Sequence, residues 1–228
     1  MGQQYFSEHS YKFLAKLEKN NNRDWFNQHK HEYEQHVREP ALRFIEDFAD
    51  ELFTLSPFFR AIPKKVGGSL MRVHRDVRFG KDKRPYKSNI GIQFRHERGK
   101  DVHAPGFYVH IEPGECFVGV GIWRPDAEAL AKIREAIIEK PDLWRQASQQ
   151  TTFKKHFQMS GESLKNAPRG YDKDHPLLDD LKRKDFIAIA KIDEDIVISN
   201  KLTKTVFNHF SKAESYMAFL CAALELQY

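Results

Sequence analysis

The chain has few cysteines and no long apolar run, and both absences narrow the classes of protein that fit it. Its two cysteines, Cys116 and Cys221, are too few for a four-cysteine zinc site. They lie far apart in apolar surroundings, which favours buried free thiols over a disulfide. No stretch reaches the roughly 18 apolar residues of a membrane span, and the first residues show no secretory signal. We therefore expect a soluble cytoplasmic protein without membrane contact.

Several motifs that would identify a reaction are also missing from the sequence. It contains no Walker-type phosphate loop, no Gly-x-Ser-x-Gly nucleophile elbow and no His-Glu-x-x-His zinc motif. Gly119 and Gly121 form a Gly-x-Gly inside a predicted strand, without the third glycine that opens a helix in dinucleotide-binding proteins. We predict no metal and no cofactor. Whether the chain is an enzyme stays open, as do its reaction and its oligomeric state.

The spacing of apolar residues predicts helices at both ends of the chain. At the N-terminus one helix is predicted over residues 7–19, capped by Ser7, and a second begins after Asp24. Near the C-terminus, Ser211 and Glu214 have the spacing of a capping box before the last helix. Further helices are predicted over residues 40–55, after Pro125 and Pro141, near 177–182 and over 200–210.

The middle of the chain has the alternation typical of strands. Strands are predicted over residues 70–75, 90–95, 107–112, 117–123 and 186–192. The break at residues 113–115 favours an antiparallel hairpin between the third and fourth of these strands. Together the pattern predicts an α+β fold, with a mainly antiparallel sheet flanked by N-terminal and C-terminal helices. We predict one domain over residues 1–228, with a candidate subdomain border near 158–175.

Positive charge is concentrated in residues 72–87, the segment that could bind a ligand. Seven Lys or Arg against two Asp give this segment a net charge of +5, equal to the formal charge of the whole chain. Arginine presents a planar fork of donors that suits phosphate or carboxylate oxygens. We therefore predict that it binds an anionic small molecule. The predicted ligand-binding residues are Arg72, Arg75, Arg78, Asp82, Lys83, Tyr86, Lys87 and Tyr108.

Two further residues are candidates for proton transfer, and several alternatives remain open. Asp76 lies within the basic segment, and His110 shares a strand face with Tyr108. His110 could equally be held by a carboxylate such as Glu112, and the alternate glycines could clear space for a ligand or for a packed ring.

Two other interpretations of the basic segment remain open. In the first, the chain is a nucleic-acid-binding module, in which Phe79 and Tyr86 stack on bases. In the second it is a structural protein, in which the segment, with a turn at Gly80, only locks a hairpin.

The sequence resembles a known family, called domain of unknown function 2461. The stretches that carry the resemblance are residues 21–26, 75–87, 106–110, 119–125, the Ile133-Arg134 pair and 168–176. It extends over nearly the whole chain, and the long basic motif is specific. The resemblance implies one full-length domain and directs attention to the basic motif, but it implies no activity, substrate or catalytic residue.

Overall fold

The N-terminal part of the chain is helical, and short polar side chains fix its first boundaries. The computed structural model describes residues 2–78, 82–99 and 104–228. Ser7 caps the first helix, as predicted, by accepting the backbone N–H of His9. The second helix is capped by Asn22 rather than by Asp24, because Asn22 accepts the backbone N–H of Trp25. The helical elements are α1 (Glu8–Lys19), α2 (Arg23–Gln28), α3 (Lys30–Tyr33), a π-helical turn (Glu34–Arg38), α4 (Glu39–Asp47) and α5 (Ala49–Leu55).

The strands form an antiparallel sheet, which confirms the predicted α+β class. They are β1 (Phe59–Arg60), β2 (Ile90–His96), β3 (Gly106–Glu112), β4 (Glu115–Ile122), β5 (Gln158–Ser160) and β6 (Phe186–Lys191). Over the described residues their order in the sheet is β1-β2-β3-β4-β6-β5. β3 and β4 form the predicted hairpin, with Val109 opposite Val118. The short strand β5 was not predicted.

The predicted strand over residues 70–75 is wrong. Leu70 makes an isolated bridge to Ile92 of β2, whereas His74 makes one to Tyr86. The chain therefore changes its pairing partner between these two residues. A segment that leaves the sheet edge in this way cannot form one continuous ladder, although its alternation resembles that of a strand.

The second half of the chain contributes the remaining helices. They are α6 (Ala127–Glu139), α7 (Pro141–Gln149), α8 (Thr151–His156), α9 (Leu178–Leu181), α10 (Glu194–Val197), α11 (Leu202–Ser211) and α12 (Glu214–Ala223). Asp126 caps α6 by accepting the backbone N–H of Ala129. The predicted capping box at Ser211 is wrong, because the residue preceding α12 is Ala213 and the Ser211 hydroxyl donates instead to the Asn208 carbonyl.

The two faces of the sheet have different surroundings. One face packs against helices from both ends of the chain: Phe94 of β2 contacts Phe48, between α4 and α5, with ring centroids 5.2 Å apart. On the same face, Phe107 of β3 contacts Phe210 of α11 at 4.7 Å. Strand alternation turns the neighbouring residues to the opposite face. There, one register row across β2, β3, β4 and β6 consists of Gln93, Tyr108, Gly119 and Ile189.

Candidate functional site

The basic segment, residues 72–87, continues from the edge of the sheet as two antiparallel arms. The backbone N–H of Met71 donates to the Gly91 carbonyl at 2.9 Å, which ties the start of the segment to β2. Lys87 N–H then donates to Val73 at 2.8 Å, and Arg75 N–H donates to Pro85 at 2.9 Å. The predicted turn at Gly80 and the predicted stacking role of Phe79 lie outside the described residues, as does Lys81.

Most charges toward the tip of the basic segment are paired within it. Asp76 binds the Arg78 guanidinium, with 2.6 Å between Oδ2 and Nη2. Asp82 binds both Arg75 and Arg84, the latter at 2.8 Å. The ammonium of Lys83 donates to the Val77 carbonyl at 2.9 Å. These cations therefore hold the shape of the segment as well as adding positive charge.

The predicted proton-transfer role of Asp76 fits this geometry poorly. The Arg78 side chain and backbone donate to its carboxylate and hold the pKa of Asp76 far below its ordinary value. The pKa of Asp82 is lowered in the same way, chiefly by Arg84. A carboxylate that stays ionised near neutral pH and is already bound by arginine is a weak general base.

Tyr86, predicted to contact a ligand, is a core residue. It is 4% exposed, and its ring stacks on Phe26 of α2 with centroids 4.1 Å apart. Asn21 fixes the same residue through its backbone: the Asn21 amide donates to the Tyr86 carbonyl and accepts the Tyr86 N–H, each at 3.0 Å. The prediction of a stacking role for Tyr86 is therefore corrected, because Phe26 covers its ring.

The open face of the sheet contains a cleft of about 460 Å³, which lies in the usual range for small-molecule sites. Of the predicted site residues, the structure brings Lys87, Tyr108 and His110 together in its lining. Arg72 and Arg75 lie near Lys87, although neither lines the described part of the cleft. Other lining residues are Met71, Asn89, Phe117, Gly119, Gly121, Trp123, Ile187 and Ile189.

A chain of hydrogen bonds follows β3 along one wall of the cleft. Tyr108, His110 and Glu112 alternate onto the same face of the strand. The Tyr108 hydroxyl lies 3.0 Å from His110 Nδ1, and His110 Nε2 lies 3.1 Å from Glu112 Oε2. Since an ionised carboxylate only accepts, the assigned tautomer has Nε2–H donating to Glu112 and Nδ1 accepting from Tyr108. Ser88 donates to the other Glu112 oxygen at 2.7 Å.

Packing fixes this relay, which we define as Tyr108, His110 and Glu112. The His110 ring stacks on Phe117 with centroids 4.6 Å apart and an interplanar angle of 9°. The relay is largely sheltered, since the His110 side chain is 13% exposed. Burial, with a smaller contribution from Glu112, raises the pKa of Tyr108. The hydroxyl therefore keeps its proton at neutral pH and can donate it.

Lys87 places a poorly compensated positive charge at the same cleft. Burial lowers the pKa of its ammonium, and the positive charges of Arg72 and Arg75 lower it further. Among the described residues no carboxylate forms an ion pair with it. A half-buried cation next to other cations favours any anion that can enter the cleft.

Sequence reasoning missed several residues of this site. Asn89 Nδ2 lies 3.4 Å from His110 Nδ1, and nothing in the sequence marked Asn89 or Ser88 as partners of the relay. Gly91 was also missed: a Cβ built there would come within 2.8 Å of the Tyr108 hydroxyl oxygen. Glu112 was anticipated as a neighbour of His110. The cross-strand partners depend on strand register, which local sequence patterns do not determine.

Comparison with known proteins identifies a family but no characterised relative. A family model described as "Conserved hypothetical protein (DUF2461)" matches residues 9–219. No curated protein and no solved structure matches the chain. Within residues 2–78, 82–99 and 104–228, no helix is long and apolar enough to cross a membrane. The same residues contain no group of three or more His, Cys, Asp or Glu placed to hold a metal ion.

Proposed function

The chain belongs to the DUF2461 family, and we propose that it binds a small phosphate- or carboxylate-bearing molecule in the open-face cleft and transfers a proton there. The observation that carries this proposal is the relay along the cleft wall, at the end where Lys87 lies. A base hydrogen-bonded to a hydroxyl and oriented by a carboxylate is the arrangement that activates proton transfer in many active sites. The 3.0 and 3.1 Å contacts of His110 satisfy that geometry.

Each residue of the proposed site has a distinct role. Lys87, with Arg72 and Arg75 nearby, attracts and neutralises the anionic group of the ligand. Tyr108 accepts a proton from the ligand as its own hydroxyl proton passes to His110 Nδ1. His110 exchanges that proton with Tyr108, and Glu112 orients the imidazole and stabilises its charged form. Phe117 keeps the imidazole in place by stacking.

The first test is a ligand screen by thermal shift at low salt. It compares inorganic phosphate, phosphorylated sugars, short carboxylates, nucleotides and single-stranded oligonucleotides. A ligand that binds the folded state stabilises it by about 2.7 kcal/mol at 100 times its Kd. We expect anions to raise the Tm of the wild type but not that of Lys87→Met. Lys154→Met, at an exposed position of α8, removes the same charge elsewhere and should behave as wild type.

The outcomes of this screen separate the proposal from its alternatives. Binding of oligonucleotides alone, with a steep loss of affinity as salt rises, would favour a nucleic-acid-binding module. If no anion stabilises the wild type, or if Lys87→Met binds as well as wild type, the anion site is wrong.

The relay has its own test, which does not require the substrate. Nitrogen NMR of the histidine side chains reports which ring nitrogen carries the proton. We expect Nε2–H for His110 and a changed Nδ1 chemical shift in Tyr108→Phe, because the hydroxyl that donates to Nδ1 is lost. A His110 signal that Tyr108→Phe leaves unchanged would argue against a coupled relay.

The cytoplasmic location is also part of the proposal. Cys116 and Cys221 are buried and unpaired, which fits a reducing compartment. Microscopy of the full chain carrying a fluorescent tag would test it, and accumulation in an oxidising compartment would contradict it.

A further inference from the structure

Three neighbouring glycines form part of the floor of the cleft, and the Gln93 amide borders one of them, 3.4 Å from a Cβ built at Gly106. Gly106 of β3 stands opposite Gly121 of β4, and Gly119 stands opposite Tyr108. All three glycines line the cleft. Because adjacent strands are about 4.8 Å apart and alternate residues about 7 Å apart along a strand, these positions form a flat area the size of one aromatic ring.

The fold requires glycine at one of these positions but not at another. Gly121 has a φ of 115°, and a Cβ there would lie 2.0 Å from the Phe186 carbonyl oxygen. Gly119 has no such constraint, since its Cβ would meet only ordinary contacts, the nearest being Tyr108 Cβ at 3.6 Å. Packing therefore leaves room for a side chain at residue 119, and that side chain would project into the cleft.

Large apolar side chains surround this floor. Tyr108 bounds it on β3, Phe117 precedes it on β4, and Ile187 and Ile189 bound it on β6. Trp123 follows at the far end of β4, where the Arg124 guanidinium lies 4.8 Å from the centre of its ring. A flat floor with aromatic and branched walls suits a planar apolar group better than a flexible chain.

The polar groups of the cleft lie mainly at the opposite end. Asn89 contacts His110 there, and Lys87, two residues before Asn89, lines the same end. From Phe117, which stacks on His110, to Gly121 the strand rises by about 13 Å. Gly119 lies only about 7 Å from Phe117. A ring on Gly119 would thus direct its anionic substituent along β4 toward the Lys87 end.

We infer that the ligand is a ring-bearing anion, whose planar aromatic or heteroaromatic ring lies on the floor formed by Gly106, Gly119 and Gly121 and whose phosphate or carboxylate faces Lys87. This inference rests on the proposed function, because it names the chemical class that the same cleft accepts. An aromatic carboxylate and a nucleoside monophosphate share this chemistry, and the experiment below distinguishes them.

The first pair of test ligands has the same carboxylate and linker, and only one member has a planar ring. Binding of 3-phenylpropionate and 3-cyclohexylpropionate to the full chain is measured by NMR titration, with phosphate as a reference anion. Because a planar ring fits the glycine floor and a puckered ring does not, we expect 3-phenylpropionate to bind roughly tenfold more tightly than 3-cyclohexylpropionate. Adenosine monophosphate and ribose 5-phosphate form a second pair, which shows whether the ring is a nucleobase.

A variant at the floor provides an independent measurement. Gly119→Val places a branched side chain at the ring position, where its Cβ meets only ordinary contacts, so we expect it to lose the preference for 3-phenylpropionate while phosphate still binds in a Lys87-dependent manner. Gln158→Val, at an exposed site on β5 outside the described lining, is the matched control and should keep the preference. Circular dichroism verifies that both variants fold, and if Gly119→Val does not, the wild-type ligand pairs decide.

The possible results distinguish this inference from the proposed function. Equal binding within each pair, with all four compounds sensitive to Lys87→Met, would overturn the ring-bearing ligand and leave the anion site standing. Failure of every anion, phosphate included, to bind the wild type would overturn both. A planar preference that Gly119→Val leaves intact would also contradict the proposed position of the ring.

Discussion

At the scale of single residues, the half-buried ammonium of Lys87 has no carboxylate partner among the described residues, so we expect it to lower the stability of the fold while it serves the proposed anion site. Burial, Arg72 and Arg75 all lower the pKa of its ammonium. We therefore expect Lys87→Met to raise the free energy of unfolding at pH 7 by about 1 kcal/mol, as at other sites where function is kept at the expense of stability. Scanning calorimetry should show a Tm increase of about 2–4 °C.

The pH dependence of this gain has a definite sign. A lowered lysine pKa means that the charged form is disfavoured in the folded state, so the destabilisation is complete below the folded pKa. It is lost as the pH rises toward the ordinary value of 10.5. The advantage of Lys87→Met should shrink over that range, whereas Lys154→Met should show no advantage at any pH. A Lys87→Met protein less stable than wild type at pH 7 would contradict this account.

Asn21 provides a second prediction at the residue scale. Its amide makes two backbone hydrogen bonds to Tyr86, each 3.0 Å long, and both partners are at least partly buried. Asn21→Ala leaves a backbone donor and acceptor without partners, and we expect a loss of about 2 kcal/mol. Urea unfolding measures it, with Asn20→Ala as the control, since the exposed Asn20 amide bonds only to Lys16 of its own helix. Equal losses in the two variants would show that Asn21 does not anchor the basic segment.

At the scale of elements, Asp185 links the chain segments that follow β4 and β5, at the Trp123 end of the cleft. Asp185 is 2% exposed, and its carboxylate accepts the backbone N–H of Arg124, after β4, and that of Glu162, after β5, each at 2.8 Å. The first of these matters because Arg124 has a left-handed φ of 49°. That conformation is costly for a residue other than glycine and persists where its surroundings hold it.

We expect Asp185→Ala to lower the free energy of unfolding by about 3 kcal/mol, because two hydrogen bonds to a charged acceptor are lost. Asp185→Asn keeps the shape and one acceptor oxygen, so its loss should be about half as large. Urea unfolding of the three proteins gives both values. If Asp185→Asn and Asp185→Ala lose the same free energy of unfolding, the charge of Asp185, rather than its two acceptor oxygens, stabilises these connections.

At the scale of the whole molecule, the half-buried His209 should make the fold sensitive to mild acid. Burial, with Lys212 and His156 adding to the effect, lowers the pKa of His209. The Nδ1 of His209 is buried without a hydrogen-bond partner among the described residues. Because the unfolded chain binds the proton more readily, stability should fall as the pH drops below about 6.5 and level off below the folded pKa.

The variant His209→Phe tests this sensitivity. It should flatten the pH dependence of the free energy of unfolding between pH 7 and 5, since the ring already packs near Phe157 with centroids 6.2 Å apart. His31→Phe, at an exposed position, should leave the dependence as in wild type. If His209→Phe retains the full pH dependence, other groups cause the acid sensitivity.

Local sequence patterns determined much of the fold, because they act within one element. The Ser7 cap, the hairpin of β3 and β4 and the α+β class were all predicted correctly, since caps, turns and two-residue alternation depend only on near neighbours. The same local reasoning failed where a distant partner decided the outcome. Residues 70–75 alternate like a strand, yet Leu70 pairs with Ile92 and His74 with Tyr86.

The sequence by itself also determined which residues of β3 share a face, and it marked Lys87, Tyr108 and His110 as candidates. Only the tertiary structure decided that this face is open, because α11 and the α4–α5 junction, from opposite ends of the chain, pack on the other one. It likewise buried Tyr86 under Phe26 while leaving Lys87 in the cleft. Alternation fixes the relative orientation of side chains, but long-range packing of apolar surface chooses the side that faces solvent.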